Sequence, residues 1–479
     1  MKEESLLQNS IFNVFYRCLN IIFPVVSSAY VARILLPEGV GRVAYSQNLA
    51  QYFAIFAVLG IPTYGIRLVS VVKGKASDRR RIVEELGSLG LISGIVCFFA
   101  YIAIVFVSPL YRTNGALYVV AGVGIIFSGL NVDWFFQGIG NYRFIAIRGA
   151  IIRVLSLVLI FCFVRNSSDL IVYCGILVFG TAGNNIWNFC KLVKTKNFTK
   201  FRFSGLQNHI RSSLVFFATS LVIQVYVLFD VTLLGLLSTV EAVAYYSNSV
   251  KLVRMLLTTI AASTAVFLPR LTLAWSEDRE QFRKLTSTAL SFLSFVLIPS
   301  CIGLFLISDE LAIFLYGTAF IPVGETLKIS SFLIPSLGFS GFVGTQILVS
   351  SGNENKLLIA VGLGACVSLI MNIIFIPRYQ QNGAAWAGVI SETIVLALCI
   401  WFSHKVDRFQ VDFVNFGKVI LASCALGLLI TVAEHYLNGE IFMLTSLFFG
   451  GLVYFALSIA MKNSIAILIL KFLRSFIKK

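Results

Sequence analysis

Eight ionisable side chains fall inside stretches that are otherwise apolar enough to cross a lipid bilayer. Arg17, Arg153, Lys251, Arg254 and Lys418 are cationic, and Asp133, Asp230 and Glu392 are anionic. A charge at mid-membrane costs about 2.5–3.5 kcal/mol even on insertion scales, so such residues are kept where they face protein or a water-filled interior. Arginine's planar fork of donors matches the paired oxygens of an anionic group in bidentate fashion, and lysine adds a point charge. Arg17, Arg153, Lys251 and Arg254 are therefore candidates to bind an anionic passenger, with Asp133, Asp230 and Glu392 as charge partners in the same interior. The alternative for each is interhelical pairing with no substrate contact. Lys418 lies near the end of its apolar run and is expected to snorkel.

The rise of a helix sets their depth. At about 1.5 Å per residue, Arg17, Arg153 and Asp133 come roughly 9 to 12 Å below one membrane face, close enough in level to form one cluster. Asp230 and Lys251 lie at comparable depths on consecutive helices, and Arg254 shares a face with Lys251 at i, i+3. They form the corresponding candidate in the second half of the chain.

The elements that carry these residues follow from composition. The chain has 479 residues, 58% hydrophobic and only 13% charged, with a mean hydropathy of +0.89. Soluble domains run about 45–50% apolar and about 25% charged, which excludes a soluble enzyme, a coiled coil and a disordered chain. Eight stretches of at least 20 residues contain no Asp, Glu, Lys or Arg, and six more are interrupted by one or two charges. A bilayer core needs about 20 such residues per helix, so the fold class is all-α: a polytopic membrane protein of about 14 transmembrane helices. Barrel strands would alternate every second residue instead. The opening MKEESLLQNS lacks the pattern of a secretory leader, and the first span is expected to stay attached.

Cysteine and histidine offer little chemistry. The nine cysteines have no CxxC spacing and read as small apolar residues. The three histidines, His209, His404 and His435, stand at separate loop edges, so no metal or catalytic cluster is expected.

A net charge of +16 would suggest nucleic acid for a soluble chain, but the distribution points elsewhere. With both termini on one side, that side receives 27 of the 38 basic residues, the other side six, and the spans five. The positive-inside rule makes both termini cytoplasmic, and the basic loops rest near anionic membrane lipids; no nucleic-acid partner is expected.

A duplication organises the spans. Tyr45-Ser46-Gln47 resembles Tyr246-Ser247-Asn248, an offset of 201, and Gly140-Asn141 resembles Gly352-Asn353, an offset of 212. The order suggests two six-helix bundles about a central path. Expected boundaries are 1–190 for the first bundle, 191–211 for a basic cytoplasmic linker, 212–403 for the second bundle, and 404–479 for two appended transmembrane helices and a basic tail.

The stretch from Val31 to Gly41, with Leu59-Gly60-Ile61-Pro62 and Tyr64-Gly65-Ile66-Arg67, resembles the opening helices of the bacterial polysaccharide flippases. Asn372-Ile373-Ile374-Phe375-Ile376-Pro377 with Gly383-Ala384-Ala385 is similar to a second signature of these O-antigen and capsule repeat-unit translocases. They belong to the multidrug/oligosaccharidyl-lipid/polysaccharide exporter superfamily. Two positions depart from the family pattern: Leu36 stands where the family often has Gly, and Gln380-Gln381 replaces the usual Gly after Tyr379.

The resemblance implies translocation of undecaprenyl-pyrophosphate-linked oligosaccharide from the inner to the outer face of the bacterial cytoplasmic membrane. It also implies a polysaccharide polymerase and a chain-length regulator as partners. No enzyme activity, metal or cofactor is implied, and coupling to protons or sodium stays open. A cation-coupled drug exporter of the same fold is the nearest alternative, although such exporters usually carry a carboxylate in span 1, where this chain has Arg17. A membrane polymerase or ligase would need reactive groups on a sizeable periplasmic loop, and residues 309–327 offer Asp309, Glu310 and Glu325 without His or Arg.

Overall fold

The computed structural model describes residues 3–72, 76–264, 267–407, 412–437 and 439–477. Side chains are described from Phe23 onward, apart from those at 219, 220, 222, 223, 225, 262, 472, 473 and 475–477. Among the described residues the secondary structure is helix and turn, with no strand.

The first half contains α1 (Glu3–Val58), α2 (Ile61–Val71), α3 (Ala76–Val107), the single turn α4 (Pro109–Arg112), α5 (Gly115–Gly129), α6 (Asp133–Gly138), α7 (Tyr142–Phe163), α8 (Leu170–Lys194) and α9 (Leu206–Leu237). The second contains α10 (Val240–Thr264), α11 (Phe267–Glu277), α12 (Arg279–Leu306), α13 (Ser308–Tyr316), α14 (Pro322–Ser331), α15 (Leu333–Gly341), a π-helical stretch (Phe342–Leu348), α16 (Glu354–Val406), α17 (Phe413–Tyr436), α18 (Gly439–Ala460) and α19 (Ser464–Ile477).

Among the described residues, ten helical segments are long and apolar enough to cross a membrane. Two of them, Phe23–Val71 and Glu354–Val406, run for 49 and 53 residues. At about 1.5 Å per residue each far exceeds a hydrocarbon core of about 30 Å. Each also contains a residue with non-helical backbone, Leu36 (φ 60°, ψ 173°) and Gln380 (φ 48°, ψ −126°), so each holds two passages. With α9 and α10 the arrangement is compatible with the fourteen spans expected.

The chain divides into two units, Met1–Gly235 and Leu236–Lys479. In the first, α5 packs against α1, α3 and α8, while α2 lies along α6. The close approach of α3 and α5 depends on glycine, since a Cβ on Gly90 would stand 2.2 Å from the Gly129 carbonyl oxygen. In the second unit, α14 packs against α10, α12 and α16, and α17 and α18 pack together against α12.

Two of the expected spans are broken within the first unit. The helix that begins after Leu36 stops at Val58, and Leu59 (φ 47°) and Gly60 (φ 69°) turn the chain before α2 starts on Ile61-Pro62. The expected fourth span stops at Gly129, and α6 restarts at Asp133. Their freed backbone groups find partners, as polar groups inside a bilayer must. Ser213 Oγ donates to the Leu59 carbonyl, and the Asp133 N–H donates to Asn131 Oδ1 at 2.9 Å.

The repeated Gly-Asn pairs adopt one backbone turn. Gly140 and Gly352 have φ of 75° and 73°. The following Asn141 and Asn353 each donate a backbone N–H at 2.8 Å to a carbonyl five residues back, on Phe136 and Leu348. This is the Schellman closure of a helix, in which glycine takes the left-handed residue without a Cβ penalty.

The segment 191–211 belongs to the first unit, held by two buried carboxylates of α3. Glu84 accepts from the Thr199 N–H at 3.1 Å, and Glu85 accepts from Arg81 Nε at 2.8 Å and lies 2.9 Å from His209 Nε2. The Arg202 N–H donates to Ser88 Oγ at 2.8 Å, and the other ring nitrogen of His209 meets the Tyr64 hydroxyl at 3.1 Å. Beyond the spans, Asp169 accepts backbone N–H groups of Arg165 and Asn166, which hold its carboxyl below the usual carboxylate range.

Candidate functional site

The breaks in the first unit border a cavity of about 350 Å³. Gly60, Pro62 and Thr63 line it from the first break, and Ser128 and Asn131 from the second. Gln51 of α1, Thr181 and Asn185 of α8, and Gln224 of α9 complete its polar wall, with Ile55, Val58 and Phe217 among the apolar lining. None of the described lining residues carries a charge. Discontinuous helices are where membrane transporters expose unwound backbone and polar groups to a substrate path.

Beside the second break stands a charged cluster. Asp133 Oδ1 accepts from Arg148 Nη1 at 2.8 Å and from Asn188 Nδ2 at 2.7 Å. Arg148 Nη1 also donates to Asn188 Oδ1. The Arg148 side chain is 4% exposed and that of Asp133 27%. Three helices, α6, α7 and α8, each contribute one member, so the cluster depends on their packing as much as on charge.

The sequence-predicted residues fall as follows. Arg17 lies outside the described side chains. Arg153 is half-buried on α7, eleven residues beyond the helix start and thus roughly 16 Å along it, deeper than the level of Asp133. Asp133 has Arg148 as its partner. Arg148 went unnoticed among the basic residues that set orientation, because a cation near a helix end looks like a topology signal. Asn188 carries no charge and left no signal of its own.

Asp230 is buried on α9 in the first unit, within electrostatic reach of Tyr52. Tyr52 in turn shares the Thr232 hydroxyl with Asn48, at 2.9 and 2.7 Å. Lys251 and Arg254 lie in the second unit on α10, the first half-buried and the second exposed. Glu392 is buried on α16. Lys418 donates to the Lys462 carbonyl at 3.0 Å, which accounts for it as a helix-end contact. The predicted residues are thus distributed over both units, and the cavity in the first unit is lined by amides and hydroxyls, which carry no charge to mark them in the sequence.

The sequence model of a family described as "Polysaccharide biosynthesis protein" matches residues 6–275, more than half of the chain. The chain belongs to that family. Among curated relatives, a putative O-antigen transporter of Escherichia coli (strain K12) is 23% identical over 422 residues, covering 83% of this chain and 96% of the relative. The capsular polysaccharide biosynthesis protein CapF of Staphylococcus aureus is 25% identical over 405 residues, covering 78% and 93%. Among solved structures, the lipid II flippase MurJ in an inward closed conformation superposes with a TM-score of 0.77 at 18% identity, covering 96% of this chain and all of that one. At that identity the likeness establishes the fold. The fold class expected from the sequence, an all-helical membrane protein of many spans, is the one found among the described residues, in a member of the polysaccharide biosynthesis family.

Proposed function

We propose that this protein is a flippase that carries undecaprenyl-pyrophosphate-linked oligosaccharide repeat units, of O-antigen, capsule or a related polysaccharide, from the cytoplasmic to the periplasmic leaflet. The two bundles rock about a central path while the lipid tail stays in the bilayer. Both termini are cytoplasmic, by the charge distribution of the loops. Arg17, Arg153, Lys251 and Arg254 bind the pyrophosphate, and Asp133, Asp230 and Glu392 hold charges in register around them.

The observation that carries this reading is on α10. Lys251 and Arg254 stand one turn apart on a 25-residue helix, long enough to span a bilayer, and Arg254 is exposed rather than packed away. A membrane protein keeps such a cation where water or a polar passenger meets it. A pyrophosphate-bearing lipid supplies the matching charge. The O-antigen transporter relative supports the same class of cargo.

The test is a Lys251→Ala/Arg254→Ala double variant in a cell whose surface polysaccharide depends on this protein. The expected result is loss of surface polysaccharide and accumulation of its lipid-linked precursor, at unchanged membrane levels of the protein. Normal polysaccharide display in that strain removes the headgroup role of these two residues.

A further inference from the structure

The cavity between the two helix breaks offers hydrogen bonds that the protein itself does not use. Gln51, Thr63, Thr181 and Gln224 line it with exposed side chains that make no hydrogen bond to another described residue. Asn185 donates its amide to the Phe127 carbonyl at 2.7 Å, and its carbonyl oxygen is left over. Within helices that cross a bilayer, uncommitted polar groups are costly and persist where water or a polar ligand meets them.

The chemistry of the wall restricts that ligand. Among the described residues, no cation lines the cavity to favour a phosphate, and no carboxylate to favour a metal ion or an amine. Each amide presents a donor and an acceptor side by side, which matches neighbouring hydroxyls, since every hydroxyl both donates and accepts. The Phe217 ring adds an apolar surface, packed against Phe56 with ring centroids 5.2 Å apart. Uncharged sugar rings combine these two characters, a rim of hydroxyls and a face of C–H groups. A volume of about 350 Å³ lies at the small end of ligand pockets, which run from about 300 to 1,000 Å³, and suits a ligand of monosaccharide scale.

We propose that this cavity binds an uncharged sugar ring of the transported oligosaccharide, apart from the cations that hold the pyrophosphate. The proposal rests on the flippase reading and deepens it. Recognition of cargo is divided: charge reads the lipid headgroup common to all repeat units, and the amide-lined cavity reads the sugar.

The test uses the full chain in lipid nanodiscs, with native mass spectrometry measuring affinity for two probes. One is undecaprenyl-pyrophosphoryl-N-acetylglucosamine and the other undecaprenyl pyrophosphate without a sugar. Wild-type protein is expected to bind the sugar-bearing lipid more tightly. Gln51→Leu/Gln224→Leu should lose about tenfold on the sugar-bearing lipid and nothing on the bare one, as expected for two lost hydrogen bonds. Thr181→Val removes a hydroxyl with no hydrogen-bond partner among the described residues at nearly constant shape, so its fold is preserved, and it should show the same selective loss at a few-fold. Equal affinity of wild type for both lipids, or an equal effect of the variants on both, overturns the sugar site and leaves the flippase reading standing. Binding of neither lipid by wild type overturns the flippase reading and the sugar site with it.

Discussion

Asp133 and Arg148 join two helices through a 2.8 Å ion pair beside a break in the membrane-spanning framework. Asp133 opens α6 immediately after the chain has left helical geometry, and Arg148 reaches it from α7 with Asn188 of α8 bonded to both. The pair therefore fixes where the broken span restarts, and through Asn131, which caps the Asp133 N–H, it fixes one wall of the uncharged cavity.

Loss of one partner should cost more than loss of both. Arg148→Met leaves a carboxylate without its cation, and fully enclosed pairs lose about 3–5 kcal/mol on such a change. Asp133 keeps some exposure, so about 2–3 kcal/mol is expected here. Arg148→Met/Asp133→Leu should recover part of that loss, because no isolated charge remains. Thermal unfolding of the detergent-solubilised single and double variants gives the coupling directly. Strict additivity of the two substitutions would show that the pair does not link the helices.

Two turns are strained in a way that glycine would relieve. Leu36 and Gln380 hold φ of 60° and 48°, with ψ values of 173° and −126° that side chains with a Cβ rarely adopt. Such residues cost about 1–3 kcal/mol each, against about 0.5–1 kcal/mol for the extra chain entropy of glycine. Leu36 is 47% exposed, so little buried surface is lost on truncation. Leu36→Gly and Gln380→Gly should each raise stability by about 1 kcal/mol, read as an upward shift in melting temperature. A lower melting temperature for both would mean that these turns are not strained.

These two positions show what the sequence makes legible. Both were marked by comparison with a family pattern that has glycine there, and both prove to be the non-helical residues at which paired spans reverse. The repeated Gly140-Asn141 and Gly352-Asn353 were legible for the same reason, since a left-handed turn leaves a glycine signature. The breaks at Leu59-Gly60 and Leu130–Val132 were not, because apolar residues continue through them and hydropathy does not register backbone direction. Asp133 was legible as a buried charge, but its partner was not: Arg148 meets it only when α6, α7 and α8 cross. The cavity stayed hidden because its polar residues are uncharged and spread over five helices, and only folding gathers them.

The basic segment 191–211 should be released by removing its carboxylate anchors. Glu84 and Glu85 together bind Thr199, Arg81 and His209. Glu84→Gln/Glu85→Gln removes both charges while keeping side-chain volume. Limited trypsin digestion should then cut at Lys194, Lys196, Lys200 or Arg202 markedly faster than in wild type, yielding two fragments that divide near residue 200. Unchanged cleavage would mean that the apolar packing of Phe198 in the core of the first unit holds the segment without help from the acids.

The crossing of α3 and α5 should be the least tolerant of added volume. Alanine normally improves a helix interior over glycine by about 1 kcal/mol. At position 90, however, the new Cβ would sit 2.2 Å from a backbone carbonyl oxygen of the facing helix, and a backbone atom cannot rotate away as a side chain can. Overpacking of this kind costs about 3 kcal/mol, so Gly90→Ala should be destabilising by about 2 kcal/mol after the gain in propensity. Gly362→Ala in α16 is the matched control, because a Cβ there meets nothing within 4 Å. Propensity alone then acts, and stability should hold or rise. The melting temperatures of the two variants should accordingly move apart, Gly90→Ala downward and Gly362→Ala level or upward. Equal behaviour would mean that α3 and α5 separate readily, and that the small residues at their crossing are not what brings them together.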